Sequence, residues 1–316
     1  MITLQRYTPD MQQQWDAFVR EARNSTFLFM RGYMDYHADR FSDHSLVYLD
    51  EHGKIIGVMP GHSLGDAYYS HRGLTYGGIV CHRKLHLEQL GEMFRITCVY
   101  LSEQGFKMWH YKTVPSNFHR SPSEDDRYWL WRLHAWVNRM DMAQCVSLRD
   151  DRSTVANSKR NYHNRLLRQG YKVTEGAALS DFWPILESNL METHNARPVH
   201  TLEEMQLLQS RFPNNIVCAT VTSPEGKVVA GTVLYITDTV VHTQYISASA
   251  SGKTGHAMDM LMVHLIDKYR AQPQYRYFDF GTSMESDHIG FNEGLVKQKE
   301  EFGAHGIAYP EYVIEL

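Results

Sequence analysis

Cysteine is scarce in this sequence, and long apolar runs are missing. The best apolar runs, residues 55–59 and 228–236, are far shorter than the roughly 20 residues of a membrane-spanning helix. Residues 1–6 lack the layout of a signal peptide. The few cysteines form no CxxC pair, which gives no indication of a zinc ribbon or a disulfide framework. These absences predict no metal site, no membrane insertion and a reducing, cytoplasmic setting. The four cysteines are Cys81, Cys98, Cys145 and Cys218.

Neither sign of charge dominates the chain. Lys and Arg total 32 and Asp and Glu total 36, and the net charge of −4 argues against a protein that coats nucleic acid. No DNA partner is therefore expected. Residues 152–172 are an exception, because they carry only basic charges and the nearest acid is Asp151. Such a run is usually a solvated helix face, and the alternative is a contact with a phosphate-bearing substrate or a tRNA acceptor stem. The basic residues are Arg152, Lys159, Arg160, Arg165, Arg168 and Lys172.

The two halves of the chain predict the same order of elements. Hydrophobic periodicity in each half indicates a strand, a helical region, several strands, a helix, a strand, a helix and a strand. A repeated order of this kind indicates a duplicated α+β unit, and 316 residues are enough for two. The boundary falls near residues 146–152. We therefore expect an α+β protein with domains 1–148 and 149–316.

Three helices have specific predicted features. Asp10 is expected to cap a helix whose apolar face carries Trp15 and Phe18. Residues 124–137 predict a second helix, and its tryptophans are interpreted as core or domain-interface residues rather than a ligand platform. Thr201, followed by glutamate three residues later, predicts a capping box at the start of a third helix.

The stretch from Gln244 to Ala257 is a candidate phosphate-binding loop. It leaves a strand, passes several glycines and enters an amphipathic helix, whose N-terminus suits a pyrophosphate. The P-loop pattern GxxxxGK[ST] fails because Ser247 stands at its first glycine. The acyl-CoA loop pattern [QR]xxGxG/A is met at Gly255 and Ala257, although Gly252 replaces the first Gln or Arg. A plain turn remains the alternative interpretation.

The C-terminal motifs provide a family resemblance. A strand reading Tyr277-Phe-Asp-Phe-Gly281 is followed by Asn292-Glu-Gly-Leu295 and by Gln298-Lys299-x-x-Phe302-Gly303. This ending is similar to that of FemAB-like proteins, a branch of the GNAT acyltransferases with tandem GNAT domains. Gln298 departs from the usual phenylalanine. The resemblance implies two GNAT-like domains, each a mixed central sheet flanked by helices, with residues 1–148 on the acceptor side and 149–316 binding the donor.

The resemblance also implies acyl transfer to an amine. The leading hypothesis is transfer from acetyl-CoA, or another acyl-CoA, to an amine on a small molecule, sugar nucleotide or cell-wall or polysaccharide precursor, bound between the domains. Alternatives are a FemAB-like enzyme that takes an aminoacyl group from charged tRNA, and a catalytically inactive binding module. The residues expected to hold the acyl-CoA co-substrate are Ile246, Ser247, Ala248, Gly252, Lys253, Thr254, Gly255, His256 and Ala257.

Direct transfer needs a base for the amine proton and donors for the oxyanion. Candidate bases are His242 and Glu285, and the resemblance places Lys299 near the reacting centre as a cation. Asp279 is a further candidate, for which a strand residue bonded to backbone is the preferred interpretation. The GNAT resemblance implies that a backbone N–H of the fourth strand donates a hydrogen bond to the oxyanion. In this sequence that N–H would lie near residues 246–248. Candidate substrate residues are Tyr76, Arg197, Gln244 and Asn292.

Overall fold

The computed structural model describes residues 1–285 and 287–316, which divide into two units. The first unit comprises Met1–Asp141 together with Ile307–Leu316, and the second comprises Met142–Gly306. The predicted ranges 1–148 and 149–316 differ from these units because one long strand continues past residue 141 and another past residue 306. Among the described residues, no helix is both long and apolar enough to span a membrane.

The first unit combines short strands with two long helices. Strands β1, β2, β3 and β6 form one antiparallel sheet in that order. A second ladder runs from β4 to β5, antiparallel, and from β5 to β7, parallel. The elements are β1 (Thr3–Arg6), α1 (Gln12–Glu21), α2 (Arg31–Met34), β2 (Leu46–Leu49), β3 (Ile55–Met59), β4 (His62–Leu64), β5 (Ala67–Tyr69), β6 (Val80–Cys81), α3 (Leu87–Glu103), β7 (Met108–Lys112) and α4 (Asp125–Arg132).

The apolar face of α1 is confirmed, but its predicted cap is wrong. Trp15 and Phe18 are buried, and the Trp15 indole N–H donates to the Phe29 carbonyl at 2.7 Å. Asp10 does not cap α1, because Pro9 begins a short 3₁₀ turn that places Asp10 inside that turn. The residue at the cap position is Met11, whose side chain makes no capping hydrogen bond.

The helix predicted over residues 124–137 is too long. His134 has a φ of +55°, a left-handed conformation that ends the helical segment, and the strand β8 (Trp136–Ser147) begins two residues later. Trp136 therefore lies on a strand, and Trp131 is 69% exposed. The interpretation of these tryptophans as core fails for both. Of Trp129, Trp131 and Trp136, only Trp129 packs closely against a helix. Its ring lies so near Gly91 of α3 that a Cβ at that glycine would be 2.2 Å away.

The second unit is a mixed sheet with helices on both faces. Its strand order is β8-β13-β12-β11-β10-β9, with β12 and β13 parallel and the other pairs antiparallel. The elements after β8 are α5 (Asn157–Arg168), β9 (Lys172–Glu175), α6 (Leu179–His194), α7 (Leu202–Arg211), β10 (Ile216–Thr222), β11 (Val228–Ile236), β12 (Val240–Ala248), α8 (Ala250–Gly255), α9 (Ala257–Arg270), β13 (Tyr277–Thr282), α10 (Glu293–Glu300) and β14 (Ala304–Glu315).

Successive residues of β11 show which helix covers each face of this sheet. Ala230 packs in the apolar core that contains α9, whereas a Cβ at Gly231 would lie 2.4 Å from the Phe182 ring of α6. Successive residues of a strand face opposite sides, so α9 and α6 cover opposite faces. The predicted capping box at Thr201 is confirmed, with its hydroxyl accepting from the Glu204 N–H at 3.2 Å.

Strands β12 and β13 share only a short parallel register. Their paired residues run from Val240 and Tyr277 to His242 and Asp279. Beyond that point β12 continues to Ala248 along β11, and β13 continues along β8. The last shared pair therefore marks the position where the two central strands diverge.

Candidate functional site

A buried carboxylate lies at the point where β12 and β13 diverge. Asp279 is 0% exposed, and its Oδ1 accepts from the Gly281 N–H at 2.7 Å. Its Oδ2 lies 3.4 Å from Nδ1 of His242, on the neighbouring strand. Gly281 has a φ of +68°, and a Cβ there would lie 3.1 Å from the His242 ring. Glycine therefore allows the chain to turn closely around this histidine.

Lys299 of α10 brings a cation to the same turn. Its side chain is buried, and Nζ donates to the carbonyl of Gly281 at 2.9 Å and to that of Thr282 at 3.0 Å. Burial lowers the pKa of Lys299 to about 8, against the opposing influence of Asp279. The Lys299 ammonium therefore loses its proton at a lower pH than an ordinary lysine does.

The loop after β12 contains a short helix that the sequence analysis missed. Ser249 caps α8 by accepting from the Gly252 N–H at 3.1 Å. A Cβ at Gly252 would lie 2.0 Å from the Val229 carbonyl oxygen. Gly252 is therefore required for the packing of α8 on β11. This packing explains why the residue is glycine, and no bound phosphate is needed to explain it. His256 follows α8 with a φ of +65° and turns the chain into α9.

Most of the predicted donor residues surround one pocket of about 390 Å³ in the second unit. The exceptions are the last two residues of α8 and the first of α9. The Thr254 hydroxyl bonds to carbonyls of its own helix, Ala257 is buried in the core, and Gly255 has open space around its Cα. The residues that line the pocket are Lys159, Asn189, Ile246, Ser247, Ala248, Gly252, Lys253, His256, Met258, Asp259 and Gln298.

An ion-pair network forms one side of this pocket. Lys159 Nζ donates to Asp259 Oδ1 at 2.8 Å and lies 3.0 Å from Glu301 Oε2. His256 Nδ1 lies 2.8 Å from Asp259 Oδ2, and its ring stacks on Tyr162 with centroids 3.6 Å apart. Burial opposes the charge of Lys159, but the two carboxylates outweigh it and raise the pKa of Lys159.

The run of basic residues predicts a solvated helix face for Lys159, whereas the structure buries this side chain. Its pairing with Asp259 joins residues 100 positions apart, and no local pattern reveals such a contact. One signal was present, because Lys159 stands seven residues before Leu166, which places both on one side of α5. Both are buried.

Four other predicted residues lie on the surface or at the edge of the second unit. Gln244 is half-buried on β12, where a bulge shifts the register between β12 and β11. Asn292 caps α10, because its Oδ1 accepts from the Leu295 N–H at 2.9 Å. Glu285 is exposed in the loop after β13, and Arg197 is exposed between α6 and α7.

Tyr76, predicted as a substrate residue, is part of the first unit's interior. It is 2% exposed, and its hydroxyl donates to Thr26 Oγ1 at 2.9 Å. Its ring packs against Phe118, with centroids 4.8 Å apart. The Gly-rich turn folds inward here, so the tyrosine supports the core and offers no exposed atom to a substrate.

Known proteins share part of this sequence and its fold. Residues 152–288 match the family described as an acetyltransferase (GNAT) domain. No curated protein sequence matches the chain. The solved structure of FemX is 11% identical, with a TM-score of 0.71 over 99% of this chain and 97% of FemX.

Two further structures share this architecture. L-PGS from Bacillus licheniformis is 12% identical, with a TM-score of 0.62 over 98% of this chain and 92% of its own. A tandem GNAT protein from the clavulanic acid biosynthesis pathway is 11% identical, with a TM-score of 0.57 over 100% and 98%. The chain is therefore similar over residues 152–288 to a GNAT acetyltransferase domain. Its fold is that of a FemAB-like tandem GNAT protein, as the C-terminal motifs predict.

Proposed function

We propose that this protein transfers an acyl group directly from an activated ester or thioester to an amine. The observation that carries this proposal is the group formed by His242, Asp279 and Lys299 where β12 and β13 diverge. The pocket at Ile246–Ala248 lies further along β12, so the donor's carbonyl carbon would lie between these two features. The chemistry needs no side-chain nucleophile.

His242 is the proposed general base. Asp279 faces Nδ1 of the imidazole, which leaves Nε2 to accept the proton as the acceptor amine attacks the carbonyl carbon. The new C–N bond forms as the C–O or C–S bond to the leaving group breaks, and the leaving group takes up a proton. Backbone N–H groups near Ile246–Ala248 are the proposed oxyanion donors. The Lys299 cation adds electrostatic stabilisation of the same negative charge.

The variants His242→Gln and Asp279→Asn test this assignment. Loss of a general base is expected to lower the transfer rate by about 100-fold or more at neutral pH. Product formation would be followed by mass spectrometry in a screen of amine acceptors. His305→Gln, an exposed histidine of the second unit, is the matched control and should behave as wild type. Wild-type rates in folded His242→Gln would contradict the proposal.

The acceptor is proposed to be an amine on a sugar nucleotide or a cell-wall or polysaccharide precursor, with the first domain on the acceptor side. Acetyl-CoA is the donor that the GNAT resemblance suggests first. The free cysteines, three of them buried, support a reducing, cytoplasmic setting. A binding module without activity would instead show no transfer to any amine in the same screen.

Charged tRNA is the second candidate donor, favoured by one surface of α5. Arg160 is neutralised by Asp267 at 2.9 Å, but Arg165 and Arg168 are exposed beyond it. A charge reversal, Arg168→Glu, is expected to weaken a salt-sensitive complex with aminoacyl-tRNA several-fold. Arg152→Glu is the matched control, because Arg152 is exposed but already paired with Asp150. Equal tRNA affinity in wild type and Arg168→Glu would remove this support.

A further inference from the structure

The N-terminus of α9 already faces an anion supplied by the chain itself. Asp259 lies in the first turn of this helix, where the helix dipole favours negative charge. It is 4% exposed, and both carboxylate oxygens are engaged, one by Lys159 and the other by His256. The carboxylate also lines the pocket at the end of β12. It therefore stands where an acyl-CoA would bring its pyrophosphate.

Backbone N–H groups in the segment just before α9 are also occupied. An acyl-CoA loop binds pyrophosphate through free N–H groups. Here the segment is folded into α8, in which the Lys253 N–H donates to the Ser249 carbonyl at 2.8 Å and the Gly252 N–H to the Ser249 hydroxyl. The His256 N–H donates to the Lys253 carbonyl at 3.3 Å. These three N–H groups are therefore occupied and do not face a pyrophosphate in this conformation.

The charges of the pocket lead to the same conclusion. Its cations are Lys159 and Lys253, and the carboxylates beside them are Asp259 and Glu301, so the formal charges balance. Lys253 is moreover held by the side chain of Asn189. A diphosphate entering the pocket would meet a carboxylate rather than a surplus of positive charge.

The geometry points to Asp259 as a specificity-determining residue that excludes acyl-CoA, so that the donor carries no diphosphate at the start of α9. This inference rests on the proposed acyl transfer and limits the class of acyl donor that the protein would use. Replacing Asp259 by asparagine removes one negative charge and leaves Lys159 with a single carboxylate partner. The pocket then gains a net positive charge and is expected to accept the diphosphate.

Calorimetry with coenzyme A on the full chain tests the inference. Wild type is expected to show no binding at about 1 mM coenzyme A, and Asp259→Asn to bind at least about tenfold more tightly than wild type. Glu301→Gln is the charge-matched control, because it removes the same unit of negative charge from beside Lys159 but leaves the Asp259 carboxylate at the start of α9. It should therefore gain less affinity than Asp259→Asn.

Binding of coenzyme A by wild type at micromolar concentration would overturn the inference, as would a folded Asp259→Asn that gains nothing. Asp259→Ser provides a second variant if the asparagine variant does not fold, and the wild-type measurement decides in either case. Coenzyme A binding does not depend on turnover. A failure here is therefore distinguishable from a failure of the proposed acyl transfer, which the His242→Gln rate measures.

Discussion

Acidification is expected to destabilise the first unit, because three histidines are buried together there. The rings of His37 and His71 stack with centroids 5.2 Å apart, and those of His62 and His71 lie 5.4 Å apart. Burial, assisted by the cations Arg72 and Lys112, lowers the pKa of His62 to about 4. Burial also lowers the pKa values of His37 and His71. In the folded state all three therefore take up a proton at a lower pH than an ordinary histidine does.

The sign and the magnitude follow from proton linkage. An unfolded histidine titrates near pH 6.5, so below that pH the unfolded chain binds a proton that folded His62 does not take up. The stabilisation is full above about pH 6.5 and is lost as the pH falls towards about 4. Between about pH 7.5 and about pH 5, His62 alone accounts for a loss of about 2 kcal/mol. His37 and His71 act in the same direction.

Urea unfolding followed by tryptophan fluorescence measures this loss in the right unit, because five of the six tryptophans belong to the first unit. His62→Phe keeps the aromatic packing and removes the titration, so it should lose about 2 kcal/mol less than wild type between the two pH values. His52→Gln, at an exposed histidine, should follow wild type. Equal wild-type stability at both pH values would refute the reasoning. The five tryptophans are Trp15, Trp109, Trp129, Trp131 and Trp136.

Three further predictions concern the second unit. Gly252→Ala should cost about 2 kcal/mol or more in thermal unfolding, because its Cβ collides with the Val229 carbonyl; Gly255→Ala, in open space, should cost less than about 0.5 kcal/mol. Thr201→Ala should cost about 1 kcal/mol through the lost cap, and an unchanged melting temperature would argue against that bond. The wild-type transfer rate should fall above pH 8 as Lys299 loses its proton, whereas Lys299→Arg should show no such fall; the pH–rate profiles of the two proteins measure this.

Sequence patterns predicted the elements whose periodicity reflects burial. The α1 face with Trp15 and Phe18 was recognisable because one helix side is buried, and the Thr201 capping box is a local exchange of hydrogen bonds. The end of α4 was missed because a left-handed His134 carries no strong sequence signal. The helix α8 was missed because its serine, threonine and glycines favour turns, although its packing on β11 stabilises a helix.

In the candidate site, too, continuous sequence motifs were predictable and contacts between distant residues were not. The C-terminal motifs located Lys299 and the strand of Asp279, since both belong to one continuous pattern. The contact of Asp259 with Lys159 forms only because α5 packs beside α9, and His256 meets Asp259 at the start of α9. Local sequence patterns do not reveal which helices pack together. Tyr76 was misassigned because a Gly-rich turn predicts a bend but not the direction in which the following ring points.

Residues 307–316 complete the first unit, where β14 pairs with β7 from Glu311 and Lys112 to Glu315 and Met108. A ribosome makes β7 well before it makes this partner, because the whole second unit is translated in between. During that interval β7 has one unpaired edge, and such an edge is a template for association with other chains. A nascent chain that stalls anywhere in the second unit therefore leaves the first unit without its last strand and β7 with an exposed edge.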